Sequence, residues 1–238
     1  MHVEAETEGL ELSVVIPVSD EERILEGNLN SIKEYLRSLH HSFEIVLVEN
    51  GSRDNTRSML EELTRDDPAL KALYLPVRDV GLALKKGFEC SQGEYVIWYP
   101  IDLAVDLEYI PRSLKLIKEY QMVVGSKDHP DSHVRRPIMR NIFSKTYNRM
   151  VNLLFGLGLG DTQCVKTFQK KTLDEILPKT KSRGIVFEVE LLYRAKQMGV
   201  SVLEVPVNVE DTRKSSGMIS LVFFINTFRD LILLRGRI

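Results

Sequence analysis

Cysteine is scarce in this chain: Cys90 and Cys164 are the only two among 238 residues, far apart and without metal-ligand spacing. That excludes a disulfide framework and a cysteine-based zinc site, and makes a reducing cytoplasm the expected setting. Long hydrophobic runs are missing too. None approaches the roughly 18 apolar residues of a spanning helix, and no signal-peptide pattern opens the sequence. An excess of one charge is also absent, because 32 Lys and Arg stand against 34 Asp and Glu for a formal charge of −2. A general polyanion binder is therefore not expected and nucleic acid is set aside as a partner, though local basic patches stay open. The five histidines form no obvious catalytic constellation.

What the chain does have is alternation. Leu12 to Pro17 and Phe43 to Val48 are apolar runs that read as buried strands. Leu70 to Leu75 and the run from Tyr95 to Pro100 read the same way. Between them lie helical patterns: Ile24, Leu25, Leu29, Ile32, Tyr35 and Leu36, then Met59, Leu60 and Leu63, then Gly81 to Phe88. This β-α-β-α order predicts one α/β domain with a mostly parallel sheet and right-handed crossovers. Polar loops then collect at the carboxyl edge: Ser19 to Glu22, Glu49 to Thr56, Arg78 to Gly81 and Asp102 to Asp106. Open α/β sheets bind ligands at that edge. Asp102 could hold a divalent cation or a sugar hydroxyl there, with Asp106 a turn further on; the alternative is a pair of residues opening the helix expected over 107–120.

After a strand at 121–126 the pattern changes. Lys127, Arg135, Arg136, Arg140, Lys145 and Arg149 crowd a segment whose only acids are Asp128 and Asp131. A long helix is expected from about Pro137, with Arg140, Ser144 and Tyr147 on neighbouring turns. Its basic residues either face a phosphate or form a solvated face. Gly160 to Phe168 reads as a polar segment before a helix at 173–177, and Glu188 and Glu190 fall in the first turn of another helix, where its dipole favours acids. Val200 to Val209 predicts a strand or a bent pair, followed by a basic loop with Arg213 and Lys214.

In order along the chain, these residues resemble the inverting family 2 glycosyltransferases of the GT-A fold, and within them the dolichyl- or polyprenyl-phosphate mannose and glucose synthases. Val14-Val15-Ile16-Pro17 with Glu21 is similar to V-V-I-P-x-x-N-E, Val48-Glu49-Asn50-Gly51-Ser52-Arg53-Asp54 to V-D-D-G-S-x-D, and Gly125-Ser126-Lys127 to G-S-R. Gly81, Ala83 and Gly87 match G-x-A-x-x-x-G, and Asp161-Thr162-Gln163-Cys164 with Phe168 resembles D-T-Q-C-G-F. The resemblance implies a single GT-A (Rossmann-like) domain over residues 11–216, after a disordered tail (1–10) and before an amphipathic helix (217–238) that lies on a membrane or docks on the protein or a second subunit. It implies transfer of a hexose from GDP-mannose or UDP-glucose to a dolichyl or polyprenyl phosphate with inversion, at a cytoplasmic site peripheral to the membrane. Pro17, Val18, Glu21, Glu49, Arg78, Gly81, Asp102 and Gln163 would bind the nucleotide sugar. Asp102, Lys127, Arg140 and Arg213 would be catalytic; Arg140, Ser144 and Lys214 would grip the acceptor phosphate; Asp102 and Asp106 would hold Mg²⁺ or Mn²⁺. The sequence departs from the family at Pro100-Ile101-Asp102-Leu103-Ala104, where the pattern is D-x-D-x-Q, and after Arg78 and Cys164. A soluble acceptor, metal independence and a non-catalytic nucleotide-sugar-binding relative stay open as alternatives.

Overall fold

The computed structural model describes residues 9–211 and 221–238. Most of the tail expected over 1–10, and the roles expected of Arg213 and Lys214, lie outside those residues. Strands β1 (Leu12–Val18), β2 (Phe43–Asn50), β3 (Leu70–Leu75) and β4 (Tyr95–Trp98) alternate with helices α1 (Leu25–Ser38), α2 (Thr56–Leu63) and α3 (Val80–Cys90). There follow α4 (Tyr109–Leu116), β5 (Met122–Ser126), β6 (His133–Arg135), α5 (Ile138–Phe155), β7 (Lys166–Gln169) and α6 (Lys170–Ile176). The chain continues through α7 (Val186–Gln197), β8 (Val202–Pro206), β9 (Asn208–Glu210) and α8 (Leu221–Arg235).

One seven-stranded sheet runs in the order β3-β2-β1-β4-β7-β5-β8, and β6 pairs with β9 in a small second sheet. Neighbours β1–β2, β1–β4, β2–β3 and β5–β8 are parallel, so their carboxyl ends share one edge. Successive β1 side chains leave by opposite faces. Val14 and Ile16 meet the α1 seam of Leu25, Leu29, Ile32 and Leu36, while Val15 joins Ala83, Leu84 and Phe88 of α3 on the other face. Helix α5 follows Pro137, which suits a first turn, and stops at Gly156 with φ of 61°. The C-terminal helix α8 docks on the protein, burying Leu231 and Leu234 beside Tyr147, Val151 and Phe155 of α5 and Val189 of α7.

Two elements depart from the sequence reading. Strand β7 lies in the middle of the sheet, antiparallel to both β4 and β5, where the sequence shows only a polar segment ending at Phe168. Strand β6 is three residues long with exposed ends, too short to leave a periodic signature. The stretch Val200 to Val209 resolves as the bent pair, β8 and β9.

Candidate active site

The edge formed by the ends of β1 and β2 is a polar shelf. Val18 pairs with Glu49 across the two strands, and both are buried. Glu49 Oε1 accepts from the Ser52 backbone N–H at 2.5 Å. Ser19 Oγ donates to the Asn50 carbonyl, and Asn50 Oδ1 accepts from the Asp79 backbone N–H at 2.6 Å. Gly51 makes this turn with φ of 66°, and a Cβ there would sit 2.7 Å from Arg78 N, so the Arg78 loop closes directly on it. Asp20 accepts from Arg78 Nη1 at 2.9 Å and from the Arg53 N–H at 2.7 Å, which lays an exposed guanidinium beside the β1 loop. Glu21 donates its backbone N–H to Thr56 Oγ1. Pro17, Val18, Glu21, Glu49 and Arg78 thus belong to one end of the sheet. Gly81 serves packing: a Cβ would come within 2.7 Å of Gly184 and Phe187.

The loop after β4 is pinned from three sides. Tyr99 Oη donates to the Val105 carbonyl, Asn28 Nδ2 donates to the Ile101 carbonyl at 2.9 Å, and Asp102 Oδ1 accepts from the Ala104 N–H at 2.9 Å. Leu103 takes φ of 52° to close this turn. The result is a cleft of about 240 Å³ lined by residues that include Trp98, Asp102, Lys127, Arg136, Gln163 and Asp211. Asp106 is not among its lining residues. Its Oδ2 accepts from Asn208 Nδ2 at 2.5 Å and its N–H donates to the Asn208 carbonyl, so β9 holds one oxygen of the carboxylate, while Oδ1 is buried without a hydrogen-bond partner among the described residues.

Cations dominate the far wall. Lys127 Nζ lies 2.6 Å from the fully buried Asp161 carboxylate. Burial pulls the lysine down, but the Asp161 charge outweighs it and holds the ammonium above its usual range; Asp161, pushed up by burial, is in turn held low by Lys127. Arg140 pairs with Asp211, so it reaches the site as a carboxylate-bound group, while Ser144 is half-buried one turn along. Gln163 donates from Nε2 to the carbonyls of Thr162 and Ile185, and its own carbonyl accepts from Lys127. Three residues escaped the sequence reading of the site. Arg136 lines the cleft as one basic residue among many in its segment. Lys166 and Glu188 form a buried ion pair behind it, with Lys166 Nζ 4.7 Å from the Trp98 ring centroid. A lysine in a polar segment and a glutamate in a helical first turn carry no sequence sign of meeting.

The residues present do not fit a metal centre built by the protein. Among the described residues no three His, Cys, Asp or Glu side chains are grouped to hold an ion. Asp102 has already given one oxygen to Ala104, and Pro100 and Ala104 have no side-chain oxygen to offer.

Comparison with known proteins accords with this geometry. The family described as "Glycosyl transferase family 2" matches residues 13–177. Glycosyltransferase AglD of Haloferax volcanii is 29% identical over 208 residues, covering 85% of this chain and 33% of that protein. Dolichyl-phosphate beta-glucosyltransferase of Dictyostelium discoideum is 28% identical over 214 residues, covering 83% of this chain and 65% of the relative. The chain thus spans a third of one of these curated relatives and just under two thirds of the other. Among solved structures, glucosyl-3-phosphoglycerate synthase from Mycobacterium tuberculosis in complex with Mn²⁺, UDP-glucose and phosphoglyceric acid superposes with a TM-score of 0.68 at 17% identity, covering 96% of this chain and 80% of that one. At that identity the likeness is one of fold, the GT-A fold.

Proposed function

This chain belongs to glycosyl transferase family 2, and we propose that it transfers a hexose from a nucleotide sugar to a dolichyl or polyprenyl phosphate with inversion. The observation that carries the reading is the cleft itself. It gathers Asp102, Lys127, Arg136 and Gln163 in one lining, together with Asp211, which is paired with Arg140, at the sheet edge that also holds the Glu49 shelf. Glucose from UDP-glucose is the favoured donor, because two of the relatives are named dolichyl-phosphate beta-glucosyltransferases; GDP-mannose is the alternative.

In this reading Pro17, Val18, Glu21, Glu49 and Arg78 receive base and ribose, and Asp102 orients the donor through a sugar hydroxyl. An acceptor phosphate oxygen attacks the anomeric carbon from the face opposite the diphosphate. The carbon–oxygen bond to the diphosphate breaks and its electron pair leaves with the nucleotide. A phosphate monoester has its second pKa near about 6, so the nucleophile arrives deprotonated and no side-chain base is required. The protein's work is positioning and charge stabilisation, shared among Lys127, Arg140, Ser144 and the expected contributions of Arg213 and Lys214.

Contact with a membrane surface follows from a lipid acceptor. Ile138, Met139 and Ile142 are exposed on the first turns of α5, alongside the exposed cations Arg135, Lys145 and Arg149, a pairing suited to an anionic interface. No helix among the described residues is long and apolar enough to cross a membrane.

The test is transfer of labelled glucose or mannose to a short-chain polyprenyl phosphate. Activity that falls by at least about a hundredfold in Asp102→Ala supports the proposal. Transfer only to a soluble phosphate would move the acceptor, and donor binding without transfer to any phosphate would make the chain a nucleotide-sugar-binding relative.

A further inference from the structure

Three cations reach the cleft region, and two of them have a carboxylate. Lys127 pairs with Asp161 and Arg140 with Asp211, whereas Arg136 makes no ion pair among the described residues. Its backbone is fixed where β6 ends: Arg135 pairs with Glu210 across to β9, and the Asp211 N–H donates to the Arg135 carbonyl at 2.9 Å. Its side chain is aimed by Nε, which donates to Asn141 Oδ1 at 2.5 Å. The outer nitrogen Nη2 is buried and meets no acceptor. A buried guanidinium donor without a partner is costly, and an anion bound in the cleft would remove that cost.

The carboxylate side is correspondingly poor. Asp102 and Asp211 are the acids of the cleft lining, and Asp211 holds Arg140. The stretch 212–220 contains no Asp, Glu, His or Cys. Charge for a diphosphate is therefore available from side chains and scarce from any protein-held metal. Resting on the transfer reading above, we infer that Arg136, backed by Lys127, binds the donor's diphosphate directly and neutralises it without a divalent cation. Arg suits this role, since its planar fork meets two phosphate oxygens at once.

Calorimetric titration of the full chain with UDP and GDP, first in EDTA and then with Mn²⁺, tests this. The expected result is binding of one diphosphate in EDTA, with an affinity that Mn²⁺ changes by less than about threefold. Arg136→Gln should weaken that diphosphate by about tenfold to a hundredfold, and Arg136→Lys should recover part of the loss. The matching nucleoside monophosphate, which lacks the second phosphate, should bind wild type and Arg136→Gln within about twofold of each other; this also shows that the variant is folded. Diphosphate binding that requires Mn²⁺ overturns the inference and leaves the transfer reading standing. So does an Arg136→Gln effect that is absent, or equal for mono- and diphosphate. Failure of both nucleotides under both conditions overturns the transfer reading as well.

Discussion

At the scale of single residues, the Lys166–Glu188 pair shows how a charge can be part of a core. Both side chains are buried, and the lysine also donates to the Cys164 carbonyl at 2.7 Å and lies over Trp98. The pair supports the indole that forms the back of the cleft. Removing one partner leaves the other buried without its counter-charge, which costs more than removing both. Lys166→Met should lower the unfolding free energy by about 3–5 kcal/mol in urea titration, and Lys166→Met with Glu188→Leu should recover most of it; equal losses in single and double variants would contradict this. Asp102 was legible in the sequence because an acid after a buried apolar run can be placed at a strand's carboxyl end. Lys166 was not, because a charged residue argues against a central strand unless its partner, 22 positions away, is already known. Arg136 was hidden for another reason: its neighbours Arg135 and Arg140 look the same in sequence, and only the fold shows which of them lines the cleft.

At the scale of elements, α3 is held at its start by one side chain with two duties. Asp79 Oδ1 accepts from Leu82 N, the usual service of an N-cap, and also from Gly184 N at 2.8 Å. It therefore ties α3 to the turn that opens α7, and Gly81 lets the two come into contact. Asp79→Ala should cost about 1–2 kcal/mol, read as a lower thermal midpoint, while Asp79→Asn should keep most of the stability because its amide oxygen still accepts. An alanine variant as stable as wild type would show that the cap carries no weight. Apolar runs were enough to place β1 to β4, since each is a continuous buried strand with a loop at its end. Antiparallel β7 broke that rule: Lys166, Thr167 and Gln169 are polar residues whose partners come from α4, α7 and the turn after α4. Sequence periodicity reports a strand's own faces, and it says nothing of polar groups brought from elsewhere to satisfy them.

At the scale of the whole molecule, several carboxylates stabilise the fold only while ionised. Asp67 is held low by its hydrogen bond from Lys33. Burial raises Asp54 and Glu190, but the Thr56 hydrogen bonds and those from Ser182 and Lys181, respectively, outweigh it and leave both low. Each folded value lies below its unfolded one, so the unfolded chain binds more protons as acid is added. Their contribution is complete above the ordinary carboxylate range near about 4 and is lost as pH falls through the folded values. The urea midpoint should stay level from neutral pH to about 5 and drop below about 4; a midpoint that rises with acid would contradict the assignment. The sheet edge at which the candidate cleft opens was readable from the alternation of strands and helices. The metal question was only partly readable: the sequence shows which ligands are missing at Pro100 and Ala104, while the cations facing that gap had to be found in three dimensions. The most direct measurement is the anomeric configuration of the product formed from α-linked UDP-glucose and a short-chain polyprenyl phosphate. A β-linked glucosyl phosphate is expected for direct attack opposite the leaving diphosphate; an α-linked product, or hydrolysis of the donor with no lipid product, would contradict inverting transfer at this cleft.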